Sequence, residues 1–215
     1  MTDLLNPPVR RVETVEDPTP PRLTHRDFMR LAPEDAKAEL IDGEFLVMPA
    51  SFDIHERLQG FLFAVITVFV SRHGLGQVRG SRSAVHIGEH DTYEPDILFV
   101  GQARADIITE SHITAAPDLV IEILSASTAR YDRGPKLAGY SAAGVRELWL
   151  IDPYGPAGTQ FFQQQADKLV EVAAVDGLLR SLALPGFDLR TAWLWPNEQG
   201  ALPNTVDVLK VLGVV

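Results

Sequence analysis

Two acidic residues lie where the sequence pattern predicts the interior of a β-sheet. Glu122 interrupts the apolar run 119–124, which lacks polar/apolar alternation and is typical of a strand buried on both faces. Asp96 follows Pro95 and begins a second apolar run, 97–100. An ionised carboxylate in such surroundings is costly unless a cation, a metal ion or strong hydrogen-bond donors meet it. If the two strands are neighbours, both carboxylates could reach one point, where their oxygens would suit Mg²⁺ or Mn²⁺.

Each carboxylate also has a plainer explanation. Asp96 could simply belong to a turn or begin a strand, which are common places for aspartate. Glu122 could form a buried salt bridge, for example with an arginine, although acids with perturbed ionisation are enriched at functional sites. We therefore predict that Asp96 and Glu122 are metal ligands, with a structural role as the alternative for each.

Three more residues are candidates for the same site. Glu39 leads into a predicted hairpin, and a solvated strand position is its alternative. Lys136 lies fourteen residues after Glu122, where a lysine could orient a metal-bound water and stabilise negative charge on a phosphate. Its alternative is the usual solvated lysine. His55 falls in the first turn of a predicted helix and could be a ligand, a general base, or a capping or partly buried histidine. We predict that all three belong to the catalytic site.

The elements that must position these residues follow from turn signals and apolar spacing. Asp42-Gly43 between two apolar runs predicts a hairpin over 38–48. Apolar residues at helical spacing predict a helix over about 52–73, and another helix is expected from about Pro135 to Ala143. The remaining predicted elements are a short helix that Thr24 begins, strands near 77–79, 84–87, 97–100, 119–124 and 147–151, an antiparallel C-terminal meander over 161–164, 169–175 and 178–184, and a last helix over 206–212.

Length and composition fit a chain with one folded domain. The 215 residues, 46% of them hydrophobic, are enough to bury a sizeable core. The mixture of strand and helix patterns predicts an α/β fold of the α+β kind, with a mixed sheet and flanking helices. The prolines of residues 1–22 indicate a disordered tail. We place the folded domain at 23–195 and a C-terminal extension at 196–215.

Charge and the absence of cysteine narrow the classes of function. Without cysteine, disulfides and Cys-based zinc sites are excluded, and the cytoplasm is the expected location. The N-terminus lacks the apolar core of a secretory signal. The longest apolar run, 61–70, is shorter than the roughly 20 residues that span a bilayer, so no membrane association is expected. The net charge of −10 disfavours tight non-specific binding to nucleic acid unless a local basic face or metal ions assist.

Taken in order, these residues resemble the Uma2 family, whose members have a restriction-endonuclease-like fold of the PD-(D/E)xK type. The resemblance spans residues 38–153 and extends more loosely to about 195. The motifs that carry it are Glu39-Leu40-Ile41-Asp42-Gly43-Glu44, His55, Pro95-Asp96-Ile97, Pro117 to Ser125, Asp132, Lys136, Tyr140 and Gly144 to Pro153. The resemblance implies a metal-dependent nuclease core in which Asp96 and Glu122 hold the ion and Glu39 is a further acid. Leu124 stands where the general pattern has its lysine, which points to Lys136 instead.

Together these observations predict a Mg²⁺- or Mn²⁺-dependent endonuclease acting on nucleic acid, with DNA as the expected substrate and a homodimer as the expected form. The basic segments 79–82 and 130–133 could neutralise flanking phosphates or be ordinary solvated loops. Two alternatives stay open. One is a non-catalytic binding or regulatory protein that keeps the nuclease fold, which the acidic charge and Leu124 favour. The other is a hydrolase of small phosphodiesters.

Overall fold

Two β-sheets with helices packed against them make up most of the structure. The computed structural model describes residues 21–49 and 52–215. Within these residues the helices are α1 (His25–Leu31), α2 (Asp53–His73), α3 (Ala129–Tyr131), α4 (Leu137–Ala143) and α5 (Thr205–Val211). The strands are β1 (Ala38–Ile41), β2 (Glu44–Val47), β3 (Gly76–Gly80), β4 (Val85–Gly88), β5 (Asp91–Tyr93), β6 (Ile97–Gly101), β7 (Leu119–Ile123), β8 (Glu147–Ile151), β9 (Gln160–Gln165), β10 (Lys168–Val172), β11 (Leu178–Arg180) and β12 (Asp188–Arg190). The predicted tail over residues 1–22 falls outside the described residues except for its last two.

A six-stranded sheet forms the centre of the fold, in the order β10-β9-β8-β7-β6-β3. β7 and β8 run parallel, with Glu122 opposite Leu150, and the other neighbouring strands are antiparallel. Every residue of β7 and β8 is buried, which explains why the sequence of β7 lacks polar/apolar alternation. The strand that begins after Asp96, β6, pairs directly with β7. Glu122 on β7 and Asp96 directly before β6 therefore belong to neighbouring segments of the sheet, as the prediction of a shared site requires.

A smaller sheet, in the order β2-β1-β5-β4, carries Glu39. β1 and β2 form the predicted hairpin, and its turn residues Asp42 and Gly43 have φ angles of 52° and 80°. Positive φ at both positions belongs to the two-residue turn that Asp-Gly favours. The sequence pattern does not predict β5, because a strand of three residues is too short to show alternation. Pairing with β1 and β4 holds it in place.

Helix α2 covers one face of the central sheet. Its buried side chains recur at helical spacing and join the main core cluster with Ile97, Ile121 and Trp149. The helix is followed by Gly74 in the left-handed conformation, with φ of 62°. By length and composition alone α2 could cross a membrane, a property that the buried helices of globular proteins share. Its packing in the core agrees with the predicted buried helix.

The helix that follows β7 begins earlier than predicted. Helical residues start at Ala129, whereas the sequence pattern places the start at Pro135. Asp132–Lys136 forms a π-helical turn, in which Gly134 has φ of −112° and ψ of −105°. Proline has no backbone N–H and disrupts a regular α-helix, and the wider turn accommodates it. The turn directs both Asp132 and Lys136 into the interior.

The C-terminal region is only partly the predicted meander. β9 and β10 pair antiparallel and extend the central sheet. The third predicted strand, 178–184, is wrong in length and pairing, because β11 ends at Arg180 and pairs with β12 rather than with β10. Asp176 and Gly177 have φ angles of 51° and 73°. These left-handed conformations make a two-residue turn, across which Val175 and Leu178 form an isolated antiparallel bridge.

Candidate active site

The five predicted site residues come from different parts of the fold and meet at one place. Glu39 is on β1, His55 in the first turn of α2, Asp96 directly before β6, Glu122 on β7 and Lys136 at the end of the π-helical turn. All five are buried, with at most 6% of their surface exposed. The first four line a cavity of about 320 Å³. Lys136 is not part of that lining and contacts the acids from behind it.

Lys136 binds three carboxylates at once. Its Nζ lies 2.8 Å from Glu39 Oε1, 2.8 Å from Glu122 Oε1 and 2.9 Å from Asp132 Oδ1. Burial opposes the charge of the ammonium, but the three carboxylates outweigh it and hold the pKa of Lys136 well above its ordinary value. Lys136 is therefore a permanent cation at the back of the cavity.

Asp96 accepts hydrogen bonds from three donors. Lys37 Nζ lies 2.8 Å from Oδ1, and Oδ2 accepts from His55 Nε2 at 3.1 Å and from the backbone N–H of Ile123 at 2.8 Å. Burial opposes ionisation, but Lys37 and His55 outweigh it and hold the pKa of Asp96 well below its usual range. Because Ile123 directly follows Glu122, the backbone hydrogen bond keeps Asp96 beside the second acid.

His55 has a carboxylate at each ring nitrogen. Its Nε2 contacts Asp96, and its Nδ1 lies 3.2 Å from Glu56 Oε1. Burial opposes protonation, but the hydrogen bond and charge of Asp96 raise the pKa of His55 above its ordinary value. With both ring nitrogens engaged by carboxylates, His55 is placed to orient Asp96 and has neither nitrogen free to contact a water. The geometry thus supports a positioning role better than that of a general base.

Glu122 uses one of its two oxygens for its protein contacts. Oε1 accepts from the Tyr140 hydroxyl at 2.6 Å and contacts Lys136, while Oε2 has no donor among the described residues. Burial raises the pKa of Glu122 to about 8, because Lys136 offsets only part of that effect and the neighbouring acid Asp132 adds to it. A cation added beside Glu122 would favour its ionised form.

The donor set fits a hard divalent cation in chemistry and charge. Oxygen ligands of this kind are those that Mg²⁺ and Mn²⁺ prefer. Four buried carboxylates face two ammonium groups, namely Glu39, Asp96, Glu122 and Asp132 against Lys37 and Lys136. When Glu122 is ionised, one negative charge remains in excess even with His55 protonated, and among the residues that the structure describes Asp132 Oδ1 is buried without a hydrogen bond of good geometry. Within the described residues no three acids or histidines converge by themselves as metal ligands, because the lysines draw the carboxylates onto their own nitrogens.

Three residues of this site have no assigned role in the sequence interpretation. Lys37 lies two residues before Glu39, and residues two apart share a face of an extended chain. Asp132 and Tyr140 lie four residues to either side of Lys136, a spacing that shares a helix face. These spacings could have found all three. The spacings alone do not indicate that these side chains are buried, because isolated lysine and aspartate residues are usually solvated.

A solved structure has the same fold as this chain. The crystal structure of a putative nuclease belonging to DUF820 from Anabaena variabilis matches with a TM-score of 0.65 at 22% sequence identity. The match covers 80% of this chain and 97% of that chain. At this level of identity the likeness shows the fold. None of the curated proteins compared with the chain matches it.

The chain belongs to the Uma2 family, described as "Putative restriction endonuclease", which it matches over residues 25–192. The predicted family and the predicted α/β fold class are therefore confirmed. All five predicted site residues fall within the matched range. Their individual roles stay predictions, and they are argued below from the contacts described above.

Proposed function

We propose that this protein is a metal-dependent endonuclease that hydrolyses the phosphodiester bonds of DNA with Mg²⁺ or Mn²⁺. The observation that carries the proposal is the convergence of four buried carboxyl groups, those of Glu39, Asp96, Glu122 and Asp132, on one cavity. Buried charge without a full set of partners costs stability, so its concentration at one place indicates a functional role. Membership of a family described as putative restriction endonucleases supports the same class of activity.

In this proposal Asp96 and Glu122 hold the ion, and Glu39 is a further acid of the same site. An ion held there would polarise a phosphate oxygen and lower the pKa of an attacking water. Lys136 joins Glu39 to Glu122 and keeps the two acids together in the absence of any ligand.

Neighbouring groups hold the two ligand carboxylates in position. His55 and the backbone N–H of Ile123 fix Asp96, and the Tyr140 hydroxyl fixes Glu122. Such outer contacts orient metal ligands, and losing one commonly weakens metal binding or activity. His55 therefore belongs to the site through Asp96.

Two exposed arginines next to the cavity support a polyanionic substrate. Arg130 and Arg133 lie between Thr128, which lines the cavity, and Lys136. Arginines in such a place could contact phosphates on either side of the cleaved bond and offset the net charge of −10 locally. Each of these arginines already has one acceptor in the protein, since Arg130 donates to the Tyr131 hydroxyl and Arg133 to the backbone carbonyl of Gly158. In the other basic segment, Arg82 likewise donates to the backbone carbonyl of Glu34.

A nuclease that cuts both strands of a duplex needs two such sites. We therefore propose a homodimer, acting on DNA in the cytoplasm. Sedimentation velocity of the full chain, with and without a DNA duplex, would measure the oligomeric state directly.

The proposal is tested by Mn²⁺ titration calorimetry and by a cleavage assay on supercoiled plasmid. We expect the wild-type chain to bind Mn²⁺ and nick or linearise the plasmid. Asp96→Asn and Glu122→Gln should lose both properties while keeping a cooperative melting transition. Asp207→Asn, which changes an exposed aspartate on α5, is the matched control and should behave as wild type.

One observation favours a second candidate function. The lysines already neutralise much of the acid cluster, which would suit a non-catalytic binding or regulatory protein that keeps the nuclease fold. A wild-type chain that binds no Mn²⁺, even with oligonucleotide present, would support this function and overturn the nuclease proposal. Turnover of a nucleotide-like ester without plasmid cleavage would instead indicate a hydrolase of small phosphodiesters.

A further inference from the structure

Lysine is rare in this chain, and half of it lies at the acid cluster. The chain has four lysines and fifteen arginines. Two of the four lysines, Lys37 and Lys136, contact the buried carboxylates. The two lysines differ in whether their ammonium groups can contact a substrate in the cavity.

Lys136 is enclosed by acids and does not line the cavity. Its Nζ donates to Glu39 Oε1 at 2.8 Å and lies within 2.9 Å of carboxylate oxygens of Glu122 and Asp132. Its side chain is only 2% exposed. A water or phosphate could reach this nitrogen only by displacing one of the acids.

Lys37 has unused N–H donors and lines the cavity. Among the described residues its one carboxylate contact is with Asp96 Oδ1 at 2.8 Å, which leaves two N–H groups. Its side chain is 24% exposed and lines the same cavity as Asp96 and Glu122. Lys37 thus stands beside a proposed ligand acid with its ammonium accessible from the cavity.

The end of the strand that carries Glu122 supplies no cation to the cavity. Leu124, two residues after Glu122, is buried in an apolar cluster with Tyr140 and Val120. No charge is available there, so any lysine at the cavity must come from another element.

We infer that Lys37 is the lysine that contacts the scissile phosphate, and that Lys136 is the internal cation that holds the acids together. The inference rests on the proposed nuclease function. In the reaction a water oxygen bonds to phosphorus and the bond from phosphorus to the leaving ester oxygen breaks. The water loses a proton to solvent and the leaving oxygen gains one from solvent. Lys37 donates hydrogen bonds to a non-bridging phosphate oxygen, where negative charge grows, and transfers no proton.

The test compares Lys37→Met with wild type in three measurements besides the melting temperature. These are Mn²⁺ affinity by calorimetry, affinity for a DNA duplex in Ca²⁺, and single-turnover cleavage in Mn²⁺. We expect Mn²⁺ to bind at least as tightly, because the ammonium no longer competes for Asp96 Oδ1. Binding of the duplex should weaken, and cleavage should fall by about 100-fold to 1,000-fold, the usual cost of removing one preorganised donor.

Lys37→Arg and Lys168→Met complete the comparison. Lys37→Arg keeps a cation and should recover part of the cleavage rate. Lys168→Met changes a lysine on the edge strand β10 and should leave all measurements unchanged. If Lys37→Met does not fold, Lys37→Gln is judged by the same three measurements.

The outcomes separate the two proposals. A wild-type chain that neither binds Mn²⁺ nor cleaves overturns the proposed function and this inference with it. A wild-type chain that cleaves, with a Lys37 variant that cleaves equally fast, overturns the inference alone. So does a Lys37 variant that loses Mn²⁺ binding together with cleavage, because Lys37 would then act on the acids and not on the phosphate.

Discussion

At the scale of single residues, Glu122 links the ionisation of the site to the stability of the fold. Its pKa in the folded protein is raised from 4.5 to about 8, with burial as the largest cause. Between these two values the folded form keeps a proton that the unfolded form has released. The free energy of unfolding therefore falls as pH rises through this window, because the buried acid must ionise.

We predict that Glu122→Gln removes this pH dependence. In metal-free buffer the melting temperature of wild type, relative to that of the variant, should fall as pH rises from 4.5 to about 8. Added Mn²⁺ should raise the melting temperature of wild type and leave that of the variant unchanged. Thermal melts at several pH values check both statements. Parallel curves for the two proteins would mean that Glu122 does not titrate in this range.

The residue scale also explains why Lys136 is conspicuous in the sequence and Lys37 is not. Lys136 follows a strand with an unexpected acid and lies within a helix, so helical spacing relates it to Asp132 and Tyr140. Lys37 precedes a short strand, and its charged neighbours in the sequence, Glu34, Asp35 and Glu39, do not single out one partner. In the folded chain each lysine contacts an acid that is distant in sequence, Asp96 for Lys37 and Glu39 for Lys136.

At the scale of elements, α4 approaches β5 so closely that one position must lack a side chain. A Cβ on Gly139 would overlap the Tyr93 hydroxyl and lie 3.2 Å from the Tyr93 ring. The ring of Tyr93 packs edge-to-face on Tyr140, the residue that donates to Glu122, with centroids 5.1 Å apart. The glycine therefore allows the contact that positions Tyr140.

We predict that Gly139→Ala destabilises the protein by about 1–3 kcal/mol, the usual cost of overpacking a core. Gly60→Ala is the matched control, since it also adds one methyl group to a helix but has open space around it. The control should stabilise the protein by about 0.5–1 kcal/mol through helix propensity. Urea denaturation of the two variants measures both changes. An equally stable Gly139→Ala would show that Tyr93 can move aside without cost.

At the scale of the whole molecule, the predicted C-terminal extension is continuous with the core. Val208, Leu209 and Val214 are buried in the same cluster as α2 and the central sheet. In addition, Arg57 on α2 donates to the backbone carbonyl of Gly200 at 2.8 Å. The extension therefore packs on the domain that holds the acids.

We predict that deleting residues 196–215 destabilises the remaining chain strongly. Each of the three buried side chains contributes about 1.5–3 kcal/mol by leaving water, so their joint loss is comparable to the total stability of a typical domain. Val206→Ser, at a position that is 51% exposed, is the control and should change stability little. The melting temperatures of the two variants test this prediction, and an unchanged transition after the deletion would contradict it.

Much of this architecture is predictable because the residues that a helix or strand buries recur at a regular spacing in the sequence. The run around Glu122, the Asp42-Gly43 turn and the spacing in α2 each report which side of an element faces the core. This spacing does not indicate which buried side chains contact one another. Lys136 and Glu39 are 97 residues apart, and their contact follows only from the packing of two sheets. The short strand β5 and the pairing of β11 are hidden for a similar reason, since tertiary pairing decides them.

The geometry of the site depends on how many residues the π-helical turn Asp132–Lys136 contains. In an α-helix each residue added or removed rotates everything after it by about 100°. Loss of Gly134 would leave every other side chain of the helix unchanged in type, yet it would swing α4 relative to β7 and carry Tyr140 away from Glu122. Which side chains of α4 face the acids therefore depends on the number of residues between β7 and α4 as well as on their types.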